Sequence, residues 1–72
     1  MNERILCQVL LTEEENWFVA TDINTGIASQ GKSFSEAMDN LREALELYYE
    51  DVPAADRVVS RRTYLTTMEL SL

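Results

Sequence analysis

Ser33-Phe34-Ser35-Glu36-Ala37-Met38-Asp39-Asn40-Leu41-Arg42-Glu43-Ala44-Leu45-Glu46-Leu47-Tyr48-Tyr49-Glu50-Asp51 reads as a single amphipathic helix, and the remaining elements are placed around it. Ser33 followed three residues later by Glu36 is a capping box, each side chain able to take an orphan backbone N–H of the first turn. At 100° per residue, Phe34, Ala37, Met38, Leu41, Ala44, Leu45 and Tyr48 share one side. Glu36, Asp39, Glu43, Glu46 and Glu50 lie nearly opposite, with Leu47 beside them. The stretch holds six acids against one base, Arg42. Water requires only that a face be polar, whereas carboxylates spaced at i, i+3, i+4 and i+7 repel one another. Glu50 and Asp51 also sit at the negative end of the helix dipole, the wrong end for acids. Two readings stay open: an ordinary solvated face, or a docking surface for a basic partner. Pro53 disfavours a helical Val52, so the helix is expected to fade over residues 49–51.

Upstream, residues 4–11 read as a strand whose two faces are both apolar, Ile5, Cys7, Val9 and Leu11 on one and Leu6 and Leu10 on the other. Residues 12–16, Thr-Glu-Glu-Glu-Asn, form a charged hairpin connection, and residues 17–22 a second strand with Trp17, Val19 and Thr21 against Phe18, Ala20 and Asp22. Asn24-Thr25-Gly26 is a turn in which Gly26 can take positive φ, and Asp22 is read as a turn residue. Residues 27–30 make a short third strand. Downstream, residues 54–61 are a connection, and residues 62–72 alternate as a last strand, with Tyr64, Thr66, Met68, Leu70 and Leu72 on one face.

The expected fold is therefore α+β with the order β-β-β-α-β. Three consecutive strands form an antiparallel meander, and the right-handed crossover through the helix lets the last strand lie parallel beside the first. That gives a four-stranded mixed sheet of order 3-2-1-4, with the helix on one face. It also explains why residues 4–11 are apolar on both sides. The opposite sheet face has no second helix, so its apolar groups call for a partner or a neighbouring copy.

Seventy-two residues make one domain, 1–72, near the lower limit for folding on a single core. Thirteen acids against six bases give a net charge of −7, which opposes direct nucleic-acid binding and favours a basic protein partner. Arg57, Arg61 and Arg62 fall between the helix and the last strand. They are read as pairing with the acidic helix or solvating a loop, with a small phosphate-facing patch as the alternative. The single Cys7 precludes an intrachain disulfide and suits a reducing compartment. The first residues resemble no signal peptide and no run reaches the length of a membrane span, so a cytoplasmic protein is expected.

Catalytic chemistry finds little support. The chain has no histidine, which removes Cys–His and Ser–His–Asp nucleophiles and His-based metal sites. Two-metal phosphoryl chemistry needs acids converging at strand ends, and residues 4–11 contain none. No phosphate-binding glycine loop is present, and no enzyme, cofactor or metal is expected.

The ordered set Trp17-Phe18-Val19-Ala20-Thr21-Asp22, Gly26-Ile27-Ala28-Ser29-Gln30-Gly31, Ser33-Phe34-Ser35-Glu36-Ala37-Met38 and Asn40 to Tyr48 resembles the HicB family of antitoxins. The family's Asp-Leu-Pro-Gly turn is replaced here by Asp22-Ile23-Asn24-Thr25-Gly26, one residue longer and without proline. The resemblance implies a partial ribonuclease H fold lacking the catalytic acids, and a small basic, mRNA-cutting HicA-like toxin as partner. It does not extend to an operator-binding C-terminal domain, for which 72 residues leave no room. The expected function is thus an antitoxin-type module that occludes a basic toxin through Glu36, Asp39, Glu43, Glu46, Leu47 and Glu50. The alternative is a stand-alone, self-associating domain, its open strand edges and sheet face covered by symmetric copies; a homo-oligomer is expected either way.

Overall fold

The computed structural model describes residues 4–53, 56–57 and 62–72. Its elements run β1 (Val9–Glu14), β2 (Trp17–Asp22), β3 (Ala28–Gly31) and α1 (Phe34–Glu50). β1 pairs antiparallel with β2, and β2 with β3, giving one three-stranded sheet of order β1-β2-β3.

The meander is thus as the sequence suggests, with shifted ends. Pairing continues through Glu13 opposite Phe18 and Glu14 opposite Trp17, so residues 12–14 belong to the strand and the turn shrinks to Glu15 and Asn16. Glu15 takes a left-handed φ of 30° to make it. β3 begins one residue later than expected, at Ala28.

The Asp22–Ile27 turn is built by Asp22 itself. Its carbonyl accepts the Gly26 N–H at 2.8 Å and its N–H donates to the Ile27 carbonyl at 2.8 Å. Its Oδ2 accepts the Thr25 N–H at 2.9 Å and the Thr25 hydroxyl at 2.6 Å. Gly26 takes φ 79°, which a side chain would resist. The extra residue and absent proline are accommodated because a carboxylate holds the turn.

Ser33 caps α1: its Oγ accepts the Glu36 N–H at 3.1 Å. Glu36 returns the favour one residue early, its Oε1 accepting the Lys32 N–H at 3.3 Å. The stripe that α1 buries is Ala37, Leu41, Leu45 and Tyr49, an i, i+4 row that drifts slightly from the face expected. Phe34 and Tyr48, expected inside, are 56% and 43% exposed. Tyr49 replaces Tyr48, and the two rings stack edge to face at 5.0 Å. Among the described residues, the apolar core is Ala20 with that helical row, fringed by Ile5, Val9, Leu11, Phe18, Ile27, Met38 and Val52. Residues opposite one another in the register share a face, so Val9, Leu11, Phe18, Ala20 and Asp22 look toward α1. The Asn40 amide donates to the Gln30 carbonyl at 2.8 Å and ties the helix to β3.

The expected four-stranded sheet of order 3-2-1-4 is corrected by this arrangement. Residues 62–72 form no strand and every one of them is exposed. β1 is consequently an edge strand rather than an interior one. Residues 4–8, which lie beyond the end of β2, have no strand assigned. The alternation in both segments is a real strand period, but a strand exists only beside a neighbour; the Gln8 carbonyl still accepts the Ile23 N–H at 3.0 Å, yet no strand is assigned over residues 4–8 or 62–72. Without the fourth strand, the partial ribonuclease H architecture is not complete. Of the connection 54–61, only Asp56 and Arg57 are described; Arg61 lies outside. No helix among the described residues is long and apolar enough to cross a membrane.

Candidate functional site

α1 presents two surfaces: an acidic ridge pointing away from the sheet and a groove along its flank. Glu36, Asp39, Glu43, Glu46 and Glu50 are all exposed, as is Leu47 at 60%. The stripe Ala37, Leu41, Leu45 and Tyr49 fixes the rotation of the helix, which holds the carboxylates on the far side. Among the described residues these acids form no ion pair, so their mutual repulsion is left largely to solvent. Glu36 differs from the others because one carboxylate oxygen serves the cap. The structure thus brings all six residues together on one ridge. Leu47 is its sole large apolar group.

The end of α1 is stabilised by Arg57, one of the three arginines that the sequence offers to the helix or to a loop. Arg57 Nε donates to the Val52 carbonyl at 3.1 Å and its Nη2 to the Tyr49 carbonyl at 3.2 Å. A guanidinium at the negative end of the dipole offsets the misplaced Glu50 and Asp51. Of the other two arginines in that trio, Arg62 is exposed.

The groove runs between α1 and the residues that lead into β1. Its volume is about 570 Å³, and its walls are Ile5, Cys7, Val9, Met38, Leu41, Leu45 and Tyr49, with Arg42, Glu46, Glu50 and Arg57 at the rim. Asp22, 1% exposed and near enough to act on Cys7 and Tyr49, has an Oδ1 that is buried with no hydrogen-bond partner among the described residues. Desolvation raises the Cys7 thiol above its ordinary 9.0, and the Asp22 charge adds to the rise. Tyr49 is likewise raised above 10.0, first by burial and then by Asp22. Both groups are therefore neutral near pH 7, and the groove is an apolar slot with one buried carboxylate nearby. Sequence reasoning missed it because a slot exists only where an expected neighbour is missing. Among the described residues, no cluster of three or more His, Cys, Asp or Glu side chains is placed to hold a metal ion.

Comparison with known proteins places these features in a family. A UPF0150 protein of Helicobacter pylori (strain J99) is 41% identical over 46 residues, which are 64% of this chain and 64% of that protein. The chain thus spans a little under two thirds of that relative's length. No solved structure matches. A family model described as "Family of unknown function (DUF7387)" matches residues 6–60, which include all three strands and the whole of α1. The chain belongs to that family.

Proposed function

We propose that this chain is an antitoxin-type, protein-binding module that neutralises a small basic, mRNA-cleaving toxin of the HicA kind by occluding its surface. The observation that carries the reading is the ridge of Asp39, Glu43, Glu46 and Glu50 with Leu47 beside it, exposed and free of ion pairs among the described residues. A row of one sign costs self-repulsion on a bare helix, and a basic partner removes that cost on contact. One apolar side chain within a charged rim also suits an interface anchor. The module acts by binding and needs no catalytic group, cofactor or direct contact with nucleic acid. Its place of action is the cytoplasm, where mRNA is cut and the lone Cys7 stays reduced.

The test is inhibition. A purified HicA-like toxin cleaving an mRNA substrate is titrated with this protein. Cleavage should stop near a fixed molar ratio and return as salt is raised. Cleavage that continues at large excess of the protein would remove the antitoxin reading.

A further inference from the structure

We propose that residues 64–72 of one copy seat as an added strand along the free edge of β1 in a second copy, inside the groove beside α1, and reciprocally. Each chain keeps its own three-stranded sheet; the added strand comes from the partner copy.

The edge is prepared for pairing. The Ile23 N–H donates to the Gln8 carbonyl at 3.0 Å, so Gln8 turns its backbone groups toward β2. By the alternation of a strand, Cys7, Val9 and Leu11 turn theirs outward. An open edge of this kind is a template for another strand. The slot beside it is lined by Ile5, Cys7, Val9, Leu41, Leu45 and Tyr49.

The segment 64–72 has the complementary character. Tyr64, Met68, Leu70 and Leu72 alternate on one face and are 80%, 78%, 72% and 116% exposed. Large apolar side chains repeating at strand period are costly in water and fit an apolar slot. The residues record no hydrogen bond among the described residues. The segment does not occupy its own chain's groove. The Cα radius of gyration is 14.5 Å and the longest extent 50 Å, against roughly 11 Å for the radius of a compact 72-residue chain. One groove and one segment per chain give a two-fold arrangement in which each copy fills the other. The inference deepens the expectation of self-association; the groove shares Glu46 and Glu50 with the acidic ridge, but the pairing is tested on the chain alone, with no toxin present, so its failure leaves the toxin reading standing.

Cys7, a groove wall and the chain's one thiol, reports occupancy directly. The full chain and its M68D/L70D variant are compared by sedimentation at micromolar concentration, by circular dichroism and by the rate of Cys7 labelling with a thiol reagent. Both substituted side chains are exposed in the single chain, so the variant should stay folded, keeping the helical signal and losing only the strand signal of the added segments. The full chain should sediment as a dimer and the variant as a monomer, with Cys7 labelled about tenfold faster or more in the variant. A monomeric full chain overturns the proposal, whether Cys7 is protected by its own segment or open. A dimer that survives the two aspartates also overturns it, leaving self-association through another surface. Loss of the dimer with unchanged labelling overturns the groove as the seat.

Discussion

Gly31 and Ala37 touch so closely that a Cβ on Gly31 would lie 2.5 Å from the Ala37 nitrogen and 2.8 Å from the Glu36 carbonyl carbon. This contact seats the first turn of α1 on the end of β3, and through it the rotation that presents the acidic ridge. The obstruction is backbone, which cannot swing aside, so Gly31→Ala must push the helix off the sheet. Urea denaturation should show a loss of about 2 kcal/mol or more, within the range for overpacked cores. A loss below about 0.5 kcal/mol would mean that the helix is not held this tightly.

Asp22 is the second anchor. Its Oδ2 takes both the amide and the hydroxyl of Thr25 from a buried position. Asp22→Ala removes both hydrogen bonds and should lower stability by about 1–3 kcal/mol. Thr25→Ala, which keeps the amide bond, should cost less. Losses near zero for both variants would show that the backbone bonds alone hold the turn.

Stability should fall at alkaline pH for a defined reason. The Cys7 and Tyr49 values are both raised in the folded chain, by burial first and by the Asp22 charge second. A raised folded value means that the unfolded chain loses its proton first. The contribution is therefore full below the ordinary values of 9.0 and 10.0 and is lost as pH rises through the folded ones. Melting followed from pH 8 to 11 should show the decline. The double variant Cys7→Ser with Tyr49→Phe should flatten it, and an unchanged slope would assign the decline to other groups.

What the sequence disclosed was whatever is decided locally. Ser33 and Glu36 announce the start of α1 because a cap satisfies donors within one turn. Asp22 and Gly26 announce their turn because both act within five residues. The carboxylates of the ridge were legible because rotation follows from the apolar row, and the row missed by exchanging Tyr48 for Tyr49 and by including the exposed Phe34. Residues 4–8 and 62–72 show the limit. Their period is that of strands, but a period says nothing of which neighbour supplies the hydrogen bonds. Assuming that the chain pairs with itself produced a fourth strand that is not there, and it hid the groove that its absence leaves. Arg57 was legible as one of three arginines able to meet the helix, but not as its cap, because a capping cation beyond Pro53 has no fixed spacing from the helix it serves.

The ridge itself is tested by reversing its middle. Glu43 and Glu46 are exposed and support nothing in the core, so Glu43→Lys with Glu46→Lys should leave the fold unchanged. Rim charges act chiefly on encounter. Stopped-flow association with a purified basic HicA-like toxin, run over a range of salt, measures that encounter directly. The account predicts association about tenfold slower or more for the double variant at low salt, with a flatter dependence on ionic strength. Wild-type rates and an unaltered salt slope would contradict it, because the carboxylates on α1 would then face only water.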